Sequence, residues 1–367
     1  MGTYKEWITV SSSTKNLKLI LSSVINGSEK IFITGHMGVD FDSIGASMGV
    51  ACLAEGLGKE AYIIIDDEDF ELEPGVKRLL DENKRTKEFK IIRLEEFKAL
   101  LGPEDSLVIV DANKKYQVCV QNQLESFQHI VIVDHHETDS YTIKTPLAVI
   151  NPDISSSSEQ IAKVLQCMKV RYGSLAANAM LSGIGLDTSR YKKNTTSETH
   201  DAAEKLILHG ASTKYVNKLF LAEFETDKKV SNLVYNGSLF ESYERGLFEK
   251  TRVAFTLNRA NPNEIYRKEE LAKAADKLLD YDVDVSFATG YVKAGIVSIS
   301  ARSLGDVDVG KIMGMFNGGG NPRSAATKIN TDDITIVEAS LRSQVRSILE
   351  RDISSKTEET PYVYVKV

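Results

Sequence analysis

The chain is poor in cysteine, proline and tryptophan, with 3 Cys, 7 Pro and 1 Trp among 367 residues. Cys52, Cys119 and Cys167 are odd in number, far apart and without CxxC spacing. This excludes a disulfide framework and a thiolate zinc site and leaves reduced thiols of a cytoplasmic protein. No apolar run approaches the roughly 18 residues that a membrane helix needs. Lys5 and Glu6 stand where a signal peptide would turn apolar, so no membrane contact is expected of this chain. Positive charge is not in excess either: 45 Lys plus Arg against 52 Asp plus Glu leave a net charge of −7, the wrong sign for holding long nucleic acid by counterion release. An anionic substrate would need local help from metal ions or a few placed arginines. Internal repeats and low-complexity segments are also lacking.

What is there reads as an ordinary globular chain, 42% hydrophobic and 26% charged, too long for one core and suited to two domains. Short β-branched runs alternate with helical patterns early on: IFIT at 31–34, AYIII at 61–65, LVIV at 107–110, IVIV at 130–133 and LAVI at 147–150. Continuous apolar runs spaced by helices predict buried strands of a mainly parallel sheet flanked by helices. Ser43 to Leu57, small and apolar all round, predicts a buried helix capped by Ser43 and ended by Gly56 and Gly58. The polar stretch from Ser197 to Lys250 reads as helical and partly an interdomain connection. A second α/β set follows in RVAFTL at 252–257, a helix through EELAKAADKLL, then VSFATGY at 285–291, GIVSIS at 295–300 and ITIVEA at 334–339. The expected organisation is a catalytic domain over 1–210, a helical linker over 211–245, a smaller α/β domain over 246–345 and a tail over 346–367, whose YVYVKV end is an edge strand or a frayed terminus.

Three predicted strands run directly into ionisable residues. His36, Asp40 and Asp42 fall within GHMGVDFDSIG after the first, Asp111 follows LVIV, and Asp134-His135-His136 closes IVIV. Ligands of open α/β sheets bind at the carboxyl ends of the strands, so these side chains should converge on one crevice. A loop leaving a strand for a helix can fold His36 and Asp40 toward one point while Asp42 faces a neighbouring one, which suits two metals. Asp187 in SGIGLDTSRY adds a further carboxylate. Four carboxylates and two imidazoles without a thiolate suit Mn²⁺, admit Fe, Co or Zn, and disfavour Ca²⁺.

A single Asp after a strand is more often a turn former, and a single His there is more often simply hydrogen-bonded. The DHH tripeptide differs, because burying three such groups without a purpose costs a few kcal/mol. His129, His200 and His209 lie on polar segments without patterned acidic partners and read as surface residues.

The ordered set GHxxxDxDSIGA, VDA, VDHH and GxGxDT at 35–46, 110–112, 133–136 and 183–188 resembles the DHH phosphoesterase family, whose members cleave phosphoester or phosphoanhydride bonds at a two-manganese centre. SARSLGDVDVGKIM at 300–313 and GGGNPRSAAT at 318–327 resemble the DHH-associated substrate-binding domain. With IYRKEELAKAADKLL, they are most similar to the cyclic di-AMP phosphodiesterases of the GdpP type. The resemblance runs from about residue 15 to 345.

It implies an active site in the cleft between the two domains, with His36, Asp40 and Asp111 on one metal, Asp42, Asp111, His135 and Asp187 on the other, and Asp111 bridging. It makes His136 a catalytic group beside the metals and Asp134 the partner of a histidine. Arg302, Ser303 and the Gly318-Gly319-Gly320 loop become substrate-binding residues, although three glycines alone more often make a tight turn; Arg323 reads as solvent-exposed. Asn321 stands where relatives carry histidine, a neutral donor and acceptor in place of a group that can be charged. GdpP-type proteins also carry upstream membrane helices and sensory domains, so the chain is a stand-alone version or a catalytic fragment. The expected partner is a cyclic dinucleotide or short oligonucleotide, and a homodimer is compatible with the sequence. Hydrolysis of cyclic di-AMP to pApA leads, with short-RNA exonuclease or adenosine 3′,5′-bisphosphate phosphatase as the rival within the fold and a nucleotide-binding sensor as the rival outside enzymology.

Overall fold

The computed structural model describes residues 13–66, 72–221, 224–244, 250–256, 264–304 and 307–357. The chain divides into two compact units, Met1–Leu221 and Ala222–Val367.

In the first unit the predicted strands form as β1 (Lys30–Thr34), β2 (Glu60–Ile64), β4 (Ser106–Val110), β5 (His129–Asp134) and β6 (Ala148–Ile150); a two-residue β3 (Ile91–Ile92) adds an edge too short to read from the sequence. They make one parallel sheet in the order β3-β2-β1-β4-β5-β6. Each strand buries both faces. Ile31, Ile33, Val108, Val110, Val131 and Val133 face one core, while Phe32, Leu107, Ile109 and Ile132 face the other, which is why the runs are continuously apolar rather than alternating. Helices α1 (Thr14–Gly27), α2 (Phe41–Gly56), α3 (Pro74–Thr86), α5 (Ser157–Met168), α6 (Ser174–Asp187), α7 (Ser197–Leu208) and α8 (Thr213–Leu219) supply buried residues to the first core, and α4 (Leu94–Leu100) places Phe97 in the second. Strand order reverses between β1 and β4, which opens a crevice at their carboxyl ends.

Helix α2 is buried on every side from Phe41 to Ala54, as its small, apolar sequence predicts. Its cap is Asp40 rather than the expected Ser43: Asp40 Oδ1 accepts from the backbone N–H of Asp42 and of Ser43, both at 2.9 Å, and the helix starts two residues earlier. A carboxylate outranks a hydroxyl there because it can take both donors.

The second unit carries β7 (Ser238–Glu244), β8 (Lys250–Thr256), β9 (Val285–Lys293), β10 (Ile296–Ser303), β11 (Gly319–Asn321) and β12 (Ser324–Asn330) in the order β11-β12-β10-β9-β8-β7, antiparallel except for the β8–β9 pair. Helices α9 (Phe224–Gly237) and α10 (Lys268–Leu278) share one core with this sheet, and α11 (Val309–Gly314) and α12 (Ile334–Thr357) share another.

Three expectations are corrected here. The stretch over 211–245 is not a free linker: α8 buries Val216 and Leu219 in the first unit, while α9 and β7 belong to the second, so the division falls at Leu221. ITIVEA is the start of α12, not a strand. Its β-branched composition yields to the spacing of Ile334, Val337, Leu341, Val345 and Leu349, which puts all five on one buried stripe, and Asp333 Oδ1 accepts from Thr335 N–H at 2.9 Å at its start. The helix therefore takes in residues assigned to the tail; the YVYVKV end lies outside the described residues.

Helix α2 packs on α6 through glycine. A Cβ on Gly45 would sit 2.6 Å from the Ala179 carbonyl oxygen, whereas one on Gly27, at the end of α1, would meet nothing within 4 Å. Gly45→Ala should cost about 1–3 kcal/mol as overpacking, read as a lowered thermal midpoint, and Gly27→Ala should leave the midpoint unchanged or raised; equal midpoints for the two variants would contradict this packing.

Candidate metal centre

Four segments bring the predicted cluster to the β1/β4 reversal. After β1 the chain turns at Gly35, where a Cβ would collide with the Ser43 side chain, and presents His36. His36 Nδ1 lies 3.0 Å from the Met37 carbonyl oxygen, which can only accept, so Nδ1 carries a proton and Nε2 is turned to the cluster. That Nε2 lies 3.5 Å from Asp40 Oδ2 and 3.3 Å from Asp111 Oδ2. Asp40 thus spends one oxygen on capping α2 and turns the other to the histidine.

Asp111 sits at φ 55, in the left-handed region, held there as its N–H donates to the Val133 carbonyl at 2.9 Å. Such a residue is strained by roughly 1–3 kcal/mol, and the turn folds its carboxylate back over the end of the sheet. Its oxygens divide: Oδ2 faces His36, and Oδ1 lies 3.4 Å from His135 Nε2 and 3.6 Å from His136 Nδ1. His135 Nε2 is also 3.4 Å from Asp187 Oδ2, at the end of α6, and 3.9 Å from Asp42 Oδ2. Ligand atoms of His36, Asp40 and Asp111 lie within 4.8 Å of one another, and so do those of Asp42, His135 and Asp187. Asp111 stands between the two sets.

A third grouping, Asp111, Asp134, His135 and His136, is a hydrogen-bond cluster rather than a ligand set. Asp134 Oδ1 accepts from the backbone N–H of His135 at 2.7 Å and of His136 at 3.2 Å, and from His136 Nδ1 at 2.8 Å. This leaves Nε2 of His136, whose side chain is 43% exposed, free to face a substrate.

The remaining histidines, His129, His200 and His209, are exposed; His200 stacks on Tyr191 and His209 on Tyr172.

Three of the seven buried side-chain atoms without a hydrogen-bond partner among the described residues are Asp111 Oδ1, His135 Nε2 and Asp187 Oδ2. Concentrated at one spot, they are lone pairs aimed at a shared point, and an oxygen and nitrogen donor set of this kind fits divalent cations. The electrostatics agree. Burial, with the charge of Asp111, pushes the Asp42 carboxyl up to about 7, and burial with Asp42 raises Asp187 well above the usual range. Burial would raise Asp111 too, but the imidazoles of His135 and His36 outweigh it and hold it low. Burial is likewise overridden at His36 by Asp40 and Asp111, and at His135 by Asp111 and Asp187, so both imidazoles are raised. The cluster has more carboxylates than it can ionise without added positive charge.

Supporting residues escaped the sequence reading. Ser157 and Ser158 N–H, at the start of α5, each donate to a different oxygen of Asp42 at 2.8 Å, so Asp42 caps that helix from another segment. The S-x-x-E pattern of Ser156 and Glu159 marked the helix start, though not its partner. Asn113, fully buried, donates to the His136 carbonyl at 3.2 Å; nothing in VDAN signalled that.

The residues expected to bind substrate lie in the second unit. The end of β10 pairs with the start of β12, Arg302 opposite Ser324, and Ser324 pairs with Asn321 of β11, so they gather at one end of the sheet. Arg302, 14% exposed, is tied to Asp276 Oδ1 at 2.9 Å and to the Ala301 carbonyl at 3.0 Å; Ser303 is buried. Asn321 Oδ1 accepts from Arg323 and Ser324 N–H at 2.9 and 2.8 Å, which commits its amide oxygen to a turn. A Cβ on Gly318 or Gly320 would run into β12, at 2.4 Å from the Ala326 carbonyl oxygen and 2.3 Å from that of Ser324, but on Gly319 it would meet nothing within 4 Å. Two of the glycines are required by the hairpin, and Gly319 is not.

The description "DHH family, N-terminal domain" matches residues 30–184, and the DHHA1 domain matches residues 252–350. The cyclic-di-AMP phosphodiesterase GdpP of Geobacillus thermodenitrificans is 32% identical over 338 residues, covering 90% of this chain and 49% of that protein. Its namesake from Bacillus subtilis is 33% identical over 325 residues, covering 87% and 47%. The chain spans about half the length of the curated relatives it matches. In fold it is similar to an exopolyphosphatase-related protein from Bacteroides fragilis, with a TM-score of 0.71 at 17% identity over 92% of this chain and 98% of the other. No described helix is long and apolar enough to cross a membrane.

In a chelator-treated protein, Asp42, Asp187, His36 and His135 all hold protons more tightly folded than unfolded. Their contribution is full at low pH and is lost as pH rises, for Asp42 between its ordinary range and about 7 and for the histidines above their usual value. Asp111 runs the other way, but only in acid. Thermal midpoints should therefore fall from pH 5.5 to pH 8 with EDTA, and the fall should vanish with Mn²⁺, which takes the place of the protons. A pH-independent midpoint in EDTA would count against the cluster's electrostatics.

Proposed function

We propose that this chain, whose residues 30–184 match the DHH family and whose residues 252–350 match the DHHA1 domain, is a metal-dependent phosphodiesterase that opens cyclic di-AMP to the linear dinucleotide pApA. The observation that carries the reading is the meeting of His36, Asp40 and Asp111 with Asp42, His135 and Asp187 around unpartnered buried atoms. The choice of substrate is supported by relatives that bear this activity in their names and are about one-third identical over most of this chain. Cys52, Cys119 and Cys167 carry thiols rather than disulfides, which suits the reducing cytoplasm.

His36, Asp40 and Asp111 would hold one divalent ion, and Asp42, Asp111, His135 and Asp187 the other; manganese suits the donors best. Bound there, two such ions supply a water of lowered pKa and offset charge on the phosphate. The chain's own groups do the rest. His36 is fixed in its tautomer by Met37, and Asp42 is clamped by the start of α5, so the ligand geometry is set in advance. His136, oriented by Asp134, donates a proton from Nε2 to the departing 3′ oxygen as the P–O3′ bond breaks, and water oxygen joins the phosphorus to leave a 5′-phosphate. Gly319 leaves room for a phosphate or base to approach the backbone of the second unit.

Chromatography of products after incubation with Mn²⁺ and, separately, cyclic di-AMP, cyclic di-GMP, pApA and adenosine 3′,5′-bisphosphate tests the reading. Cyclic di-AMP should yield pApA, and Asp111→Asn should reduce turnover more than about a hundred-fold with its melting temperature retained. Faster turnover of adenosine bisphosphate would replace this reading with a phosphatase. Gly319→Ala should leave stability within about 0.5 kcal/mol while raising KM several-fold; an unchanged KM would make the loop a turn only.

A further inference from the structure

At the rim of the metal-binding cluster, the loops that leave β4 and β5 each carry an exposed tyrosine. Tyr116 follows Asp111 by five residues and Tyr141 follows His136 by five, and the two residues are 53% and 67% exposed. The ring centroids are 5.9 Å apart at an interplanar angle of 78°. Two rings at that angle form a corner, in which a planar heterocycle laid on one lies alongside the other.

The corner is held from several sides. Lys114 Nζ pairs with Asp139 Oδ2 at 2.8 Å, and Asp139 Oδ1 accepts from Tyr141 N–H at 2.8 Å. Asp139 N–H donates to Thr142 Oγ1 at 2.9 Å, and Lys114 and Thr142 form an isolated bridge between the loops. On the other side, Gln117 Oε1 accepts from Lys114 N–H at 3.1 Å, and its carbonyl accepts from Met37 N–H at 2.7 Å, beside His36. Asn113 ties the same loop to the His136 carbonyl. Exposed aromatic rings fixed so closely, on the loops that bear Asp111 and His136, are preorganised for a ligand whose charged end reaches the cluster.

We infer that Tyr116 and Tyr141 form a base-stacking subsite in the first unit, which takes the purine of the nucleotide whose phosphate lies at the cluster. The nucleotide part rests on the function proposed above. Stacking tolerates any base, so this corner adds affinity for nucleotides over other phosphate esters rather than a choice between adenine and guanine.

Calorimetric titration with AMP and with ribose 5-phosphate, in Mn²⁺ buffer, isolates the base. AMP should bind the wild type about ten-fold more tightly or better. Tyr116→Leu and Tyr141→Leu, which keep apolar bulk but lose the ring face, should each remove most of that preference without changing ribose 5-phosphate affinity, and Tyr116→Phe and Tyr141→Phe should keep it. No preference in the wild type, preference retained in both Leu variants, or equal weakening of both ligands would overturn the subsite. Failure to cleave cyclic di-AMP would leave the AMP preference standing, so the two proposals fail separately.

Discussion

Negative charge taken out of water dominates this molecule. Asp42 and Asp111 are buried, with Asp187 close by, and two imidazoles cannot neutralise all three carboxylates. Buried charge survives only where something compensates it. Here helix N–H groups, histidine tautomers and unpartnered oxygens are arranged around a place for cations. The fold around it follows from that need. A parallel sheet reversing between β1 and β4 delivers His36, Asp111 and His135 from the ends of β1, β4 and β5, and α2 and α6, made of small residues, bring Asp42 and Asp187 to the same spot.

Close packing and site geometry are therefore one problem. A Cβ on Gly183 of α6 would lie 2.8 Å from both Cα and Oδ1 of Asp42. The glycine that lets the helices approach also leaves the carboxylate where it is. The left-handed turn at Asp111 stores strain in the residue that faces both ligand sets, and the pairing of its N–H with β5 holds it.

Much of this was legible in the sequence, because each signal was local. The apolar runs, the buried helix and the ionisable residues that follow β1, β4 and β5 needed only periodicity and position after a strand. What escaped reading was non-local or ambiguous. Asp40 rather than Ser43 caps α2 because a carboxylate accepts two N–H groups at once. ITIVEA looks like a strand over six residues and like a helix only over sixteen, once Leu341, Val345 and Leu349 extend the stripe. The capping of α5 by Asp42 joins segments more than a hundred residues apart and has no local trace. In the second unit, the resemblance named Arg302 and the glycines as one group, and the pairing of β10, β12 and β11 brings them to one end of the sheet, while the pairing of Arg302 with Asp276 and the turn made by Asn321 depend on side-chain partners that only folding supplies.

Asp42 has two employers, the cluster and the first turn of α5. Alleles altered there will not look like alleles altered at His36. Losing the carboxylate leaves the Ser157 and Ser158 N–H groups without their acceptor inside the core, so the product should be scarce in the cell, cleared before it can be assayed. His36, at the partly exposed edge, can be lost with the protein still abundant. In a collection of alleles altered at the cluster, steady-state protein level would separate the residues that also hold the chain together from those that serve the cluster alone.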